Sequence, residues 1–353
     1  MNINNISLFY SFDNPIKDNN FNNKYLHCSG TYFSNETTII IIGNDGWILA
    51  SNDNRCIGNG TINNPYIIKD ITLTGMGGGY CLRIRDSDVH FIIKNCTFSN
   101  ASFGIMLIDA YNGKLARNKL YNNSYGIYLQ NCYRINISSN FLYSNFEYGI
   151  SLYGSGNNIL NENFVENNLG IGINLDFCNN NTILRNIANF NEDIGVFLSY
   201  FSINNSLLGN ILNYNEADGI KLRYSSNFNI ISENNISNNN MNGICLIKCN
   251  YLTISENWIN MNKNYGINLE FSNFSTIIRN NLLNNKDCIY EKNCHGNEFK
   301  DNYPCYYGEI KEIHIISGFQ IYSLIFLFCI FCCILIIKTK IGSKDKSFYI
   351  ENS

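Results

Sequence analysis

The sequence predicts an all-β chain wound as a single-stranded parallel β-helix of about ten coils of ~23 residues, followed by one transmembrane helix. Three observations predict it. Glycine returns at a nearly constant interval and opens an alternating apolar triplet each time. Asparagine returns in two fixed registers behind that glycine. A long uncharged run lies close to the C-terminus.

The glycine register is 104, 126, 149, 172, 195, 219, 243 and 266, with Cys81 and Cys288 in the same slot at the ends. Successive markers are 22 to 24 residues apart. The triplets Ile127/Leu129, Ile150/Leu152, Ile173/Leu175, Val196/Leu198, Ile220/Leu222, Ile244/Leu246 and Ile267/Leu269 alternate as a strand with one buried face does. Six residues after the marker comes a small or thiol side chain: Ser87, Ala110, Cys132, Ser155, Cys178, Ser225, Cys249, Ser272 and Cys294. Phe201 breaks this register, and Ser202 beside it predicts a one-residue insertion. A second apolar point follows at Ile92, Leu115, Ile137, Leu160, Ile183, Ile230, Ile254, Ile277 and Phe299.

The asparagine registers are the sharpest signal. One is Asn95, Asn118, Asn140, Asn163, Asn186, Asn210, Asn234, Asn257, Asn280 and Asn302; the other begins at Asn100 and runs five residues behind it to Asn285. Coils stacked at the strand spacing of ~4.8 Å place identical positions above one another. Inward and corner slots must then repeat, while solvent slots such as Asn174 are free to vary. A marker glycine would allow a turn conformation that a Cβ strains. Asparagine tolerates left-handed backbone and can stack its amides into a ladder.

The remaining segments take their place around this rod. Residues 1–36 are polar and expected to be irregular; 37–65 form a cap, with Thr37 to Ile42 as a strand covering the first coil's edge. Residues 66–303 are the coils and 304–314 a juxtamembrane linker. Residues 315–337 carry no charge over 23 positions, enough at ~1.5 Å per residue to cross a ~30 Å hydrocarbon layer. The basic tail 338–353 that follows is expected in the cytoplasm, which places the rod outside the cell with the lipid bilayer as a partner of the C-terminal helix. No basic, apolar leader opens the chain. A net charge of −3 gives no field for nucleic acid, and 45% hydrophobic residues exclude disorder by composition.

At "CIGNGTINNPYII", "CLRIRDSDVHFIIKNCTF" and the repeated G-I-x-L and N-x-I-x-x-N frames, over residues 43–303, the chain resembles the NosD-like β-helix proteins. Their repeat is also called the carbohydrate-binding and sugar-hydrolase type, and archaeal surface proteins of this kind are similar. The resemblance implies right-handed winding. It does not fix an activity, because the shared residues are structural. The aspartate sets of polygalacturonases and the Asp-Pro-His-Glu motif of alginate epimerases are missing.

Candidate chemistry is therefore sought on outward slots. Glu233 and Glu256 fall in adjacent coils with Arg279 in the next, a carboxylate stack near the ~5 Å used by retaining glycosidases. Glu192 and Glu216 form a second such pair. Phe177, Tyr200, Tyr224 and Phe271 share the slot five after the marker, interrupted by Lys248, and suit sugar rings or protein partners. Cys132, Cys178, Cys249 and Cys294 alternate with Ser and Ala and are expected as core thiols. Cys56 and Cys81 could close the lead-in loop as a disulfide. Cys288, Cys294, His295 and Cys305 show no C-x2-C spacing for a metal, and no cofactor is expected. The repeats vary too little in length to wall a deep cleft. The expected role is non-catalytic binding of a glycan or surface protein along the rod. A polysaccharide lyase or glycoside hydrolase using the carboxylate stack is the competing class, and a structural or adhesive surface protein the third.

Overall fold

The computed structural model describes residues 31–35 and 37–303. The segment 315–337, expected to cross a membrane, and the tail 338–353 lie outside the described residues. Among the described residues no helix is long and apolar enough to cross a membrane.

The chain is a parallel β-solenoid of about ten turns with three faces. The first face is a 12-stranded sheet and the second an 11-stranded sheet. The third is discontinuous, with one five-stranded and one two-stranded piece among the described residues. Every pairing between coils is parallel and in register: Ile127 stands under Ile150, Ile150 under Ile173, and Leu129 under Leu152. The apolar triplets are fully buried, as the alternation predicts.

The N-terminal end carries the cap. The strand Ile39–Ile42 pairs in parallel with residues 82–85 of the first coil. Two features differ from expectation. The strand Thr31–Ser34, inside a segment expected to be irregular, pairs antiparallel with Ile39–Ile42. A helix, Gly43–Asn52, then turns across the open end of the core. Trp47 is its plug. It is fully buried, donates Nε1–H to Ser87 Oγ at 2.9 Å, and stacks on Tyr66 and Phe91.

Asparagine amides form three ladders inside the corners. In the first, Asn163 takes the backbone and side-chain N–H groups of Asn140 on its Oδ1, at 3.0 and 2.9 Å. Its own Nδ2 donates back to Ile137 O at 2.8 Å and forward to Asn186 Oδ1 at 2.8 Å. Each amide thus ties its coil to both neighbours. The ladder runs from Asn118 to Asn302, and a second runs from Asn123 to Asn285. The third is Asn158, Asn181, Asn205 and Asn229, which the sequence reading missed.

The first coil slips by one residue against the expected register. Asn118 Oδ1 accepts from the backbone of Cys96, and Asn123 Oδ1 from that of Ala101. Asn95 and Asn100 therefore stand one position outside the ladders, on corners with φ of 55° and 57°. The inward apolar residue is likewise Ile93 and not Ile92. A second slip follows Tyr224 and Ser225, both left-handed, so that Ser226 and Ile231 are buried where Ser225 and Ile230 were expected. The insertion expected at Phe201 has the same form, with Tyr200 and Phe201 both left-handed and Ser202 buried.

The reason for the marker glycines also differs. None of them has positive φ; they are small because coils touch there. A Cβ on Gly172 would meet Gly195 O at 2.7 Å and Asn191 Nδ2 at 2.8 Å. Nor do the ladder asparagines themselves adopt left-handed backbone. The residue before each does, whether Arg117, Glu162, Arg185 or Glu256.

Asn186→Leu is expected to cost about 1–3 kcal/mol for each buried group it strands. Glu192→Gln, exposed next to the second ladder, is expected to cost almost nothing. Equal denaturation midpoints for the two variants would refute the ladder as the element that holds the coils. Gly172→Ala is expected to lower the melting temperature, because both close neighbours are fixed by the sheet and the ladder.

Candidate functional site

The outward face of the long sheet carries the densest set of ionisable groups. Its middle column is Ser151, Asn174, Phe197, Lys221, Cys245 and Asn268, each in register with the next. Asn174 was expected to be free in solvent, but it is only 3% exposed and donates to Asp176 Oδ2 at 2.9 Å. Ser199 donates to the other oxygen of Asp176. A small apolar cluster, Ile171, Ile194 and Phe197 with Tyr148 and Ala217, lies apart from the main core.

Beside this cluster stand Asp193, Asp218, Lys221 and Arg223. Asp218 is fully buried; its Oδ1 accepts the backbone and side-chain N–H of Asn242 at 3.0 and 2.7 Å. Its Oδ2 faces the Lys221 ammonium at 3.1 Å. Burial alone would lower the Lys221 pKa, but the charge and hydrogen bond of Asp218, with Cys245 beside it, together hold the ammonium above its ordinary value. Burial raises Asp193, Lys221 opposes that, and Asp218 adds to it. Tyr148 is raised by burial and then by the charges of Asp176, Glu147 and Asp193. Tyr128, in the same middle column, is pushed up to about 12 by burial. These groups come from several coils, so only the stacked structure brings them together. A signal was present in the sequence. "DGIKLR" puts a cation in both outward slots of one strand, one coil after "EDIGVFLS".

The residues singled out from sequence fall elsewhere. Glu256 is paired with Arg279, whose Nε donates to it at 3.0 Å and NH2 at 2.6 Å, and both side chains are about half exposed. Glu233 stands one coil away on the same left-handed corner. The geometry therefore gives an acid–base pair stacked along a corner in water, worth little in stability. Glu216 accepts from Asn240. Phe177, Tyr200 and Tyr224 do form a column, with centroids 5.3 and 5.0 Å apart and nearly parallel planes. Their faces are spent on one another, so the column offers ring edges to solvent. Lys248 separates Phe271 from it.

The thiols are structural. Cys56 donates to Trp47 O, and Cys81 to Leu73 O and Ser99 O, so the two are separate buried thiols and not a disulfide. Cys132, Cys178 and Cys249 fill the small inward slot and are pushed up to about 12 by burial.

Comparison with known proteins now bears on this architecture. The family described as periplasmic copper-binding protein (NosD) matches residues 1–187, 69–220 and 200–308, most of the chain. The chain belongs to the NosD family. The fold agrees with the parallel β-helix that the sequence resemblance implied. Among solved structures, a double mutant of the periplasmic alginate epimerase AlgG is similar with a TM-score of 0.53 and 16% identity, covering 75% of this chain and 85% of that one. The enzymatically active domain of bacteriophage CBA120 tailspike protein 2 is similar with a TM-score of 0.51 and 13% identity, covering 66% of this chain and 42% of that one. At these identities the likeness is one of fold. A search of curated proteins returns no match.

Copper does not fit the residues at hand. Among the described residues no group of three or more His, Cys, Asp or Glu could hold a metal ion. Copper selects thiolate, thioether and imidazole ligands, whereas the core thiols of this NosD-family rod are protonated and bonded to backbone carbonyls.

Burial raises the Asp193 carboxyl, so its charged form is disfavoured in the folded chain. Its contribution to stability is full below the ordinary carboxylate pKa and is lost as pH rises through the raised value. Asp193→Asn is expected to melt higher than the parent at neutral pH, with the gap closing at acid pH. A lower melting point at neutral pH would mean that the charge is held by Lys221 and Arg223 as a structural need.

Proposed function

We propose that this chain is a surface rod that binds a glycan, without cleaving it, along the outward face of its long sheet. The observation that carries the reading is the cluster of Asp176, Asp193, Asp218, Lys221 and Arg223 on that one face, packed beside the buried apolar residues Ile171, Ile194 and Phe197. A glycan is recognised through its hydroxyls, and the half-buried Asp176, Asp193, Lys221 and Arg223 supply hydrogen-bonding groups for them. The repeats of 22 to 24 residues add no long loop to enclose a reacting bond, which favours binding over catalysis. The fold related to carbohydrate-acting proteins is consistent with it. The uncharged run at 315–337 and the basic residues after it support anchoring in a bilayer, with the rod outside. Removal of residues 315–353 is expected to release the chain from membranes into the soluble fraction.

A catalytic reading has one observation in its favour. A carboxyl raised by burial next to an ammonium and a raised tyrosine is a pattern found where protons are moved. It would rest on Asp193 and not on Glu233 and Glu256.

A glycan array with product analysis on the full chain decides between them. Binding without cleavage is expected, weakened at least tenfold by Asp218→Asn with Lys221→Gln and unchanged by Glu233→Gln. Cleavage lost on Asp193→Asn would make the chain an enzyme. Binding lost on Tyr200→Ala with Tyr224→Ala, but kept without the Lys221–Asp218 pair, would return the site to the aromatic column.

A further inference from the structure

Most arginines of the rod have their Nε–H on a neighbouring oxygen. Arg117 donates it to Asn95 at 3.2 Å, Arg134 to Asn112 at 2.8 Å and Arg279 to Glu256 at 3.0 Å. Arg55 and Arg85 direct theirs toward Asp53 and Asp86. Arg223 does not. Its Nε is buried with no hydrogen-bond partner, and no carboxylate lies within ion-pair distance among the described residues. What holds it is aromatic: its guanidinium lies 4.9 Å from the centroid of Phe197 and 4.6 Å from that of Tyr224.

This arrangement has a chemical meaning. Two rings engage the guanidinium by its face, where the attraction is cation–π, and the buried Nε–H has no acceptor. A buried unpaired donor is costly, and the fold accepts that cost here while pairing the neighbouring Lys221 with Asp218. The charge of Arg223 is therefore not matched by a bonded acid, unlike that of Lys221. The two terminal nitrogens of a guanidinium held by its faces can pair with an incoming oxyanion in two-pronged fashion. Arg83, at the far end of the same face, also has an unpartnered buried Nε, but only one ring, Tyr80, lies under it.

We infer that Arg223 is the anion-recognising residue of the site, and that the glycan bound along this face is an acidic one, bearing carboxylate or sulfate groups. This rests on the glycan-binding reading above and adds the class of ligand to it.

The experiment uses the full chain and three sets of oligosaccharides: neutral, carboxylated and sulfated, with free sodium sulfate as a competitor. At least tenfold tighter binding of one or both acidic sets over the neutral set is expected. Arg223→Gln should remove that preference while leaving the melting temperature near that of the parent. Arg223→Lys, which keeps the charge but not the fork, should restore only part of it. Tighter carboxylated than sulfated binding names the carboxylate as the group read, and the reverse names the sulfate. Displacement by free sulfate alone, with no preference among the glycans, would reduce the site to a simple anion pocket and overturn the inference. Equal binding of neutral and acidic glycans would overturn it while leaving the glycan-binding reading intact. Acidic preference that survives Arg223→Gln would remove the assignment to Arg223. Silence of all three sets would overturn both readings.

Discussion

The structure depends on one interaction, the buried side-chain amide shared between adjacent coils. At each corner the chain leaves a strand, and its backbone N–H and C=O groups lose their sheet partners inside the core. Leaving such groups unpaired is costly. An asparagine supplies both a donor and an acceptor of the right length, and Asn163 uses its whole capacity on the coils above and below. Because every coil turns at the same places, one residue type solves the problem repeatedly. The apolar triplets fill the interior, but the amides fix the register in which they stack.

That solution releases the outside of each corner. The residue before the ladder asparagine sits in left-handed backbone, where a side chain is normally disfavoured by the order of 1–3 kcal/mol. Here the position is occupied by Arg, Glu, Ser and Asp, and on other corners by Phe and Tyr. Stacking between coils then gives these residues partners: rings lie on rings in Phe177, Tyr200 and Tyr224, and Arg279 reaches Glu256. Columns of like residues on such a rod are thus explained by their vertical neighbours before any ligand is invoked. Arg223 stands out because its vertical neighbours do not complete it.

Most of the architecture was legible because it is periodic. The glycine slot, the alternating triplets and two amide ladders are columns, and a column is a repeated letter. The glycine spacing was right for a reason different from the one expected: backbones of successive coils touch at Gly172 and Gly195, with no unusual dihedral angle there. Where a coil carries one extra residue the register slipped, as at Asn95 and at Ser225, since an insertion on a corner leaves no mark in composition. The helix Gly43–Asn52 was not foreseen, because it occurs once. The candidate site was legible least. Asp193, Asp218, Lys221 and Arg223 belong to two coils and share no column. They meet across columns on the sheet's surface, and their burial depends on side chains 20 to 30 positions away.

The amide ladders also set a chemical clock. An asparagine that hydrolyses to aspartate loses its Nδ2 donor and gains a charge in a place with no solvent, a change that is severe for one buried group. In this rod the damage would reach further, because each amide serves the coil before it and the coil after it. The chain is arranged against this. The residues following the first ladder are Lys119, Phe141, Phe164, Ile187, Ile211, Asn235, Trp258, Asn281 and Tyr303, mostly bulky, and the ladder backbone is pinned in hydrogen bonds. Asn112, followed by Gly113 on an outer corner, is the opposite case, and it lies outside the ladders. Durability in such a protein is therefore a matter of protecting its amides from water over time, as much as of the free energy with which it folds.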